Sequence, residues 1–128
     1  MLKHTVLCGA AAMLMALPAN AADLKGEIVN AETHAGLAAQ ATSVGDVHMH
    51  LHHTLNCLVG PGGAGFDAKQ MNPCANSGNG AIPDTADAAK KKSLQAAADK
   101  AKAGIAQDNL SDAQKTAGAV ATMLKADE

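Results

Sequence analysis

The scarcity of bulky side chains limits what this chain can fold into. It contains no Trp, no Tyr and a single Phe, so its core must be built from Ala, Leu, Val and Ile. Small side chains stabilise little individually, since burial contributes about 25 cal/mol per Å², and helices must approach closely across alanines. No stretch alternates apolar and polar residues with the β-branched enrichment of a strand. The sequence predicts an all-α protein of one domain.

The first 21 residues have the layout of a secretory signal peptide. A short positive start is followed by an apolar run, and Ala19-Asn20-Ala21 has the small-x-small form of a cleavage site. The run is too short for a permanent membrane anchor. We expect residues 1–21 to be removed and residues 22–128 to form a single helical-bundle domain, periplasmic or secreted.

The charge and composition of residues 22–128 exclude several classes of function. This part carries nine lysines, no arginine and twelve acidic residues, a formal net charge of −3. No basic patch indicates nucleic-acid or membrane binding. There is no nucleotide loop, no Ser/His/Asp order and no carboxylate pair on a buried face. We therefore expect neither an enzyme nor a protein that binds nucleic acid or, after signal removal, a membrane.

Apolar spacing and capping residues predict four helices. Gly60-Pro61 ends the second, because glycine accepts the left-handed end conformation and proline cannot continue a helix. The next stretch, 60–83, is rich in Gly, Pro and Asn without any period, which predicts a long loop between helices 2 and 3. Two short connections and one long one predict an antiparallel four-helix bundle. The predicted helices are 24–42 capped by Asp23, 47–59 capped by Asp46, 85–105 begun at Asp84, and one from Ser111 onward.

Two cysteines remain after the signal segment, Cys57 and Cys74. Export permits their oxidation, and with only two of them the pairing is unambiguous. Closing a loop of about 17 residues contributes roughly 3 kcal/mol in the chain-entropy model. We expect a structural disulfide. The alternative is a thiol pair used for copper or redox chemistry.

Histidines form the most informative cluster in the sequence. His48, His50, His52 and His53 fall within six residues, and His34 lies on the first helix. Imidazole is a ligand for copper, zinc and nickel. His48 and His52 are one helical turn apart on one face, and a hairpin of the first two helices places His34 level with positions 52–55. We expect His34, His48 and His52 to be the metal ligands, followed by His53, which we expect to face solvent, and His50.

Three protein ligands with an open position are an ordinary metal geometry. Asn30 and Asn56 are predicted to lie near each other as hydrogen-bond partners behind the ligands, and Met49 offers a thioether if the metal is copper(I). Haem is not expected, because no Cys-x-x-Cys-His occurs and the alanine-rich core lacks bulky apolar walls. The competing interpretation is that the histidines form a polar or pH-responsive surface.

Oxygen-bearing side chains in the long loop suggest a weaker alternative, a calcium site. They lack the regular acidic spacing of a calcium-binding loop. The residues are Asp67, Asn72, Asn76, Asn79 and Asp84.

The segment from His50 to Pro61 resembles a motif of a poorly characterised group of short exported bacterial proteins. The motif is His-x-x-His-x-x-Asn-x-x-x-Gly followed by a glycine-rich loop, and it matches His50, His53, Asn56 and Gly60. Gly65-Phe66-Asp67 and Asn72-Pro73-Cys74 are similar to the same group, so the resemblance covers about 35–80. More loosely, the chain is similar to small periplasmic histidine-rich metal-binding four-helix bundles. The resemblance implies export and a helical bundle.

Together these features predict a periplasmic binding protein that sequesters or buffers a divalent transition metal, copper, zinc or nickel. The alternative is a cell-envelope module that binds another protein, without a metal, through the glycine-rich loop or a helix face.

Overall fold

A computed structural model describes residues 21–128, so the proposed signal peptide lies outside the described residues except for Ala21. The described part is all-helical and contains no strand, which confirms the predicted fold class at that level. It has four long helices and one short one: α1 Leu24–Gln40, α2 Val44–Val59, α3 Ala81–Asp84, α4 Ala88–Ile105 and α5 Leu110–Asp127.

The four long helices surround one aliphatic core. Helix α1 packs against α2 and α5, and α4 packs against the same two helices. The apolar stripes predicted from the sequence are buried on α2 and α5, whereas Thr42 and Ile105, at the ends of two predicted stripes, are not fully buried. The largest fully buried apolar side chains are Ile28, Val47, Leu51, Leu58, Leu94, Val120 and Leu124.

Small residues allow the helices to approach closely, as the composition requires. Ala31, Ala35 and Ala38 are fully buried along α1. On α4, a Cβ added at Gly104 would lie 2.7 Å from Leu51 Cδ1. The narrow contact between α1 and α2 brings polar side chains on their facing surfaces within reach of each other.

The helix starts agree with the predictions only in part. Asp23 caps α1 as predicted, its carboxylate accepting from the Gly26 backbone N–H at 2.9 Å. Helix α2 begins earlier than predicted, because the Ser43 hydroxyl accepts from the Asp46 backbone N–H. Gly45 therefore lies inside the helix instead of interrupting it, and Asp46 is not the cap.

The N-caps of α4 and α5 also differ from the predicted residues. Asp87, not Asp84, caps α4, accepting from the Lys90 backbone N–H at 2.8 Å. Asn109 caps α5, so Ser111 lies within the helix. In both cases an equally good capping side chain stood within three residues, and pattern alone could not choose between them.

The segment between α2 and α4 is a series of turns that ends in the short helix α3. A disulfide joins Cys57 on α2 to Cys74 in this segment, which confirms the predicted pairing. The backbones of Gly60 and Gly80 meet: a Cβ at Gly60, whose φ is 67°, would lie 1.6 Å from Asn79 O. Only glycine fits this contact.

In residues 21–128, no helix combines the length and the apolarity that crossing a bilayer requires.

Candidate metal centre

Three histidines converge between the first two helices. His34 comes from α1, and His50 and His53 come from α2. One ring nitrogen from each lies within 4.8 Å of the others, and the Nδ1 atoms of His34 and His50 are 3.3 Å apart. The ring centroids are separated by 5.1 Å for His34 and His53 and by 5.6 Å for each of the other two pairs. We call these three residues the histidine triad.

The local sequence explains this arrangement. His50 and His53 are three residues apart on α2, so their side chains share one face. Ala31 and Ala35, both fully buried, lie on α1 near His34 and let α2 approach. The Thr54 hydroxyl donates to Ala31 O at 3.1 Å and is equally close to His50 O. This side chain therefore ties α1 to α2 beside the triad.

The environment of the triad favours neutral imidazoles. Burial, with smaller contributions in the same direction from the neighbouring His53 and His50, lowers the pKa of His34 to about 4. Burial also lowers the pKa of His53, with His50 and His52 adding to the effect. Neutral imidazole has a free lone pair, and that is the form that binds a metal ion.

His53 carries a buried nitrogen that a metal ion could satisfy. Only 6% of its surface is exposed, and its Nδ1 atom is buried with no hydrogen-bond partner in residues 21–128. Buried polar atoms normally have a partner, because leaving one unpaired costs about 1–3 kcal/mol. If Nδ1 of His53 binds a metal ion, the ion removes this penalty. If Nε2 binds the ion instead, coordination fixes the orientation of the ring.

The structure does not bring His48 and His52 to the triad. His48 Nε2 lies 2.8 Å from the backbone oxygen of Gln107, in the connection between α4 and α5. His52 Nδ1 lies 3.8 Å from Asp67 Oδ2, in the segment after α2. The two residues share a face, as expected for a separation of four, but that face points away from His34.

The other predicted contact across the hairpin is present. The hairpin was expected to place His34 level with positions 52–55, and His34 lies against His53. The expectation that His53 faces solvent was wrong. From His53 to its C-terminal end α2 is buried on every side, because α1, α4 and the segment held by the disulfide all pack around it.

Asn56 has a different role from the one predicted. Its amide donates to the backbone oxygens of Asp67 and Met71 at 3.0 and 3.1 Å, and its side-chain oxygen accepts from the Asp67 N–H at 2.9 Å. It therefore holds the loop after α2 and not a ligand of the triad. Asn30 is half-buried on α1.

The loop oxygens that suggested calcium are used within the loop. Asp67 Oδ1 accepts from the Lys69 N–H, and Asn72 Oδ1 accepts from the Cys74 N–H. Asp84 accepts two hydrogen bonds from Asn79. Among residues 21–128, the histidine triad is the only group of three or more His, Cys, Asp or Glu side chains that could hold one ion.

Sequence reasoning also missed Glu27, a fully buried carboxyl on α1. Its Oε1 accepts from the Gly80 N–H at 2.9 Å, whereas Oε2 is buried without a partner. Burial raises the pKa of Glu27, the Gly80 hydrogen bond opposes the rise, and the nearby charges of Asp84 and Asp23 add to it. An acid next to Ile28 in the apolar stripe was the available signal.

Comparison with protein families, curated proteins and solved structures found no match to this chain.

Proposed function

We propose that this protein binds one transition metal ion at His34, His50 and His53 and serves to sequester or buffer that ion after export. The observation that carries the proposal is the convergence of three ring nitrogens from two helices within 4.8 Å. The lowered pKa values of His34 and His53 support it, because the ligands need not lose protons at neutral pH.

We also propose that the four long helices alternate in direction around the site, as two short connections favour.

The donor set narrows the choice of metal to copper, zinc or nickel. Three imidazoles suit these ions, whereas magnesium and calcium prefer oxygen ligands. Divalent copper should bind most tightly, since affinities for a given nitrogen site rise from nickel to copper and fall again at zinc. Three protein ligands leave a coordination position for water or an exchanging ligand, which suits reversible storage.

The test is a calorimetric titration of the purified protein with Cu²⁺, Ni²⁺ and Zn²⁺. We expect one site per chain, with affinity falling sharply in His50→Ala and His53→Ala. Loss of one of three ligands should weaken binding by roughly a hundredfold, about 2.7 kcal/mol.

The matched control is the double variant His48→Ala, His52→Ala. It removes two imidazoles from the same helix, one more than either single variant, but leaves the triad intact, so tight binding should persist. If this variant loses the site and His50→Ala keeps it, the ligands are the i,i+4 pair and the proposed site is wrong. Binding no tighter than roughly 0.1 mM in the unmodified protein would contradict the metal function itself.

A further inference from the structure

A second concave site lies away from the triad, between the segment that follows α2 and the exposed face of α4. It is a cleft of about 490 Å³, within the range of small-molecule sites. Val59, Ile82 and Pro83 form apolar walls, and Lys91, Gln95 and Lys102 of α4 line the opposite side. We call this the lysine cleft.

The backbone around the lysine cleft is fixed by several contacts. Gly60 and Gly80 touch backbone to backbone. The Cys57–Cys74 disulfide and the Asn56 hydrogen bonds hold the chain between them. A preformed cavity loses little conformational entropy when a ligand enters, so this cleft is suited to binding.

The charge of the lysine cleft contrasts with that of the chain. Residues 22–128 carry a net charge of −3, yet the lining residues include two lysines and no acid. Lys91 and Lys102 are eleven residues apart, close to three full turns, so they lie on one stripe of α4 about 16 Å apart along its axis. Asp99 lies 3.5 Å from the Lys102 ammonium, but that pair is solvent-exposed and worth little.

The shape of the lining indicates an aliphatic and not an aromatic ligand body. The apolar walls are branched or cyclic aliphatic side chains, and none of the described residues that line the cleft is aromatic. Gln95 lies between the two lysines, and its Nε2 donates to Asp99 Oδ1 at 3.2 Å, which leaves the second amide hydrogen to donate to an anion. The Lys102 stem passes close over Gly65, since a Cβ built at that glycine would lie 2.9 Å from Lys102 Cε.

We propose that the lysine cleft binds a small carboxylate with an aliphatic body, its charge held by Lys91 or Lys102 and its chain by Val59, Ile82 and Pro83. This site is independent of the metal centre, because it shares no residue with the triad. It gives the protein a second ligand of a different chemical class.

The experiment titrates the exported protein, in chelator, with octanoate and with octanol while backbone amide shifts are followed by NMR. Octanol has the same chain without the charge. We expect octanoate to bind several times more tightly than octanol, to shift amides of residues 59, 82, 91, 95 and 102, and to weaken as salt is added.

Gln95 offers a sign-reversing pair of variants on an exposed helix face, where the fold is not at risk. Gln95→Glu should weaken octanoate binding, and Gln95→Lys should strengthen it. Lys91→Gln and Lys102→Gln should each weaken it, whereas Lys100→Gln, on the same helix but outside the cleft, should not. His50→Ala should leave octanoate binding unchanged even if it abolishes metal binding.

Three results would overturn the proposal. Equal affinity for octanol and octanoate would mean that the lysines play no part in recognition. Absence of amide shifts at roughly 10 mM octanoate, about −2.7 kcal/mol, would mean that the cleft takes no such ligand. Binding of an acidic peptide with no response to octanoate would assign the cleft to a protein partner.

Discussion

The Nδ1 atoms of His34 and His50 lie 3.3 Å apart, although the two residues belong to different helices. A hydrogen bond between these two atoms requires one protonated and one unprotonated nitrogen. The two rings therefore cannot both carry a proton on Nδ1. Protonating both histidines would place two positive charges in contact. This relationship links the pH dependence of the fold to the occupancy of the metal centre.

Protonation of His34 should destabilise the metal-free protein as the pH falls from about 6.5 to about 4, while Glu27 contributes with the opposite sign. The folded state holds the pKa of His34 near 4, whereas the unfolded chain titrates at 6.5, so the unfolded state binds more protons throughout this window. His53 shifts in the same direction. Urea unfolding in chelator should show a fall of roughly 1–2 kcal/mol, after allowance for the partial exposure of His34. His34→Gln should flatten this slope, and an unchanged slope would contradict the assignment.

Metal binding should raise the melting temperature and steepen its dependence on pH. An ion that binds only the folded state stabilises it by about 2.7 kcal/mol at a hundred times its dissociation constant. Protons compete for the same nitrogens, so the stabilisation should disappear in acid. Differential scanning calorimetry with and without Cu²⁺ measures both effects. The His53→Ala variant should show neither, whereas the His48→Ala, His52→Ala variant should show both.

Glu27→Gln should keep or improve stability at neutral pH. Glutamine can still accept from Gly80, and it avoids burying a charge. The raised pKa of Glu27 means that the folded state binds more protons than the unfolded state above pH 4.5, so this carboxyl loses its contribution as the pH rises through its folded pKa. Chemical denaturation between pH 4.5 and 8 should therefore show a gain for the variant that grows with pH.

A matched substitution separates the charge of Glu27 from its hydrogen bond. Glu27→Ala leaves the Gly80 N–H without an acceptor and should cost roughly 1–3 kcal/mol. If Glu27→Gln is as destabilised as Glu27→Ala at neutral pH, the carboxylate is needed in its charged form.

Asn56→Asp should destabilise the protein by roughly 3 kcal/mol or more. An aspartate cannot donate to the Asp67 and Met71 carbonyls and would bury a charge among them. Hydrogen exchange should rise between residues 67 and 71. Asn76→Asp, at an exposed position of the same segment, is the control and should change stability little. Equal effects of the two changes would mean that net charge and not the hydrogen bonds governs the loop.

Reducing the disulfide should lower the free energy of unfolding by roughly 3 kcal/mol, because the loop closed by Cys57 and Cys74 regains its freedom in the unfolded chain. Thermal melts with and without reductant measure the change. The double variant Cys57→Ala, Cys74→Ala should melt at the same temperature as the protein with its disulfide reduced. Its melting temperature should not change when reductant is added.

Local patterns predicted the helices well and the side-chain geometry of the site poorly. The stripe of Val47, Leu51, Leu55 and Leu58 identified the buried face of α2, since helical periodicity is fixed by the backbone. It did not show that α2 is buried on a second face as well. That burial depends on where the chain after Gly60 returns, which no local pattern encodes.

The choice among histidines failed for the same reason. Spacing predicts that His48 and His52 share one face and that His50 and His53 share another, but it does not say which face meets α1. The start of α2 at Val44 and the small residues of α1 set that rotation. The sequence pattern could not predict the lysine cleft either, because its walls come from segments brought together by the Gly60–Gly80 contact.

That contact has an evolutionary consequence. A Cβ at Gly60 would collide with the backbone of Asn79 and Gly80, and a Cβ at Gly80 would collide with the backbone of Val59 and Gly60, so each position is blocked by the segment that carries the other. A substitution at one of the two positions alone is not tolerated. Replacing both would place two side chains where there is room for none. Among relatives of this chain, the two positions should therefore be inherited as a pair. Sequences that lack both should also have lost the cleft, even where the histidines remain.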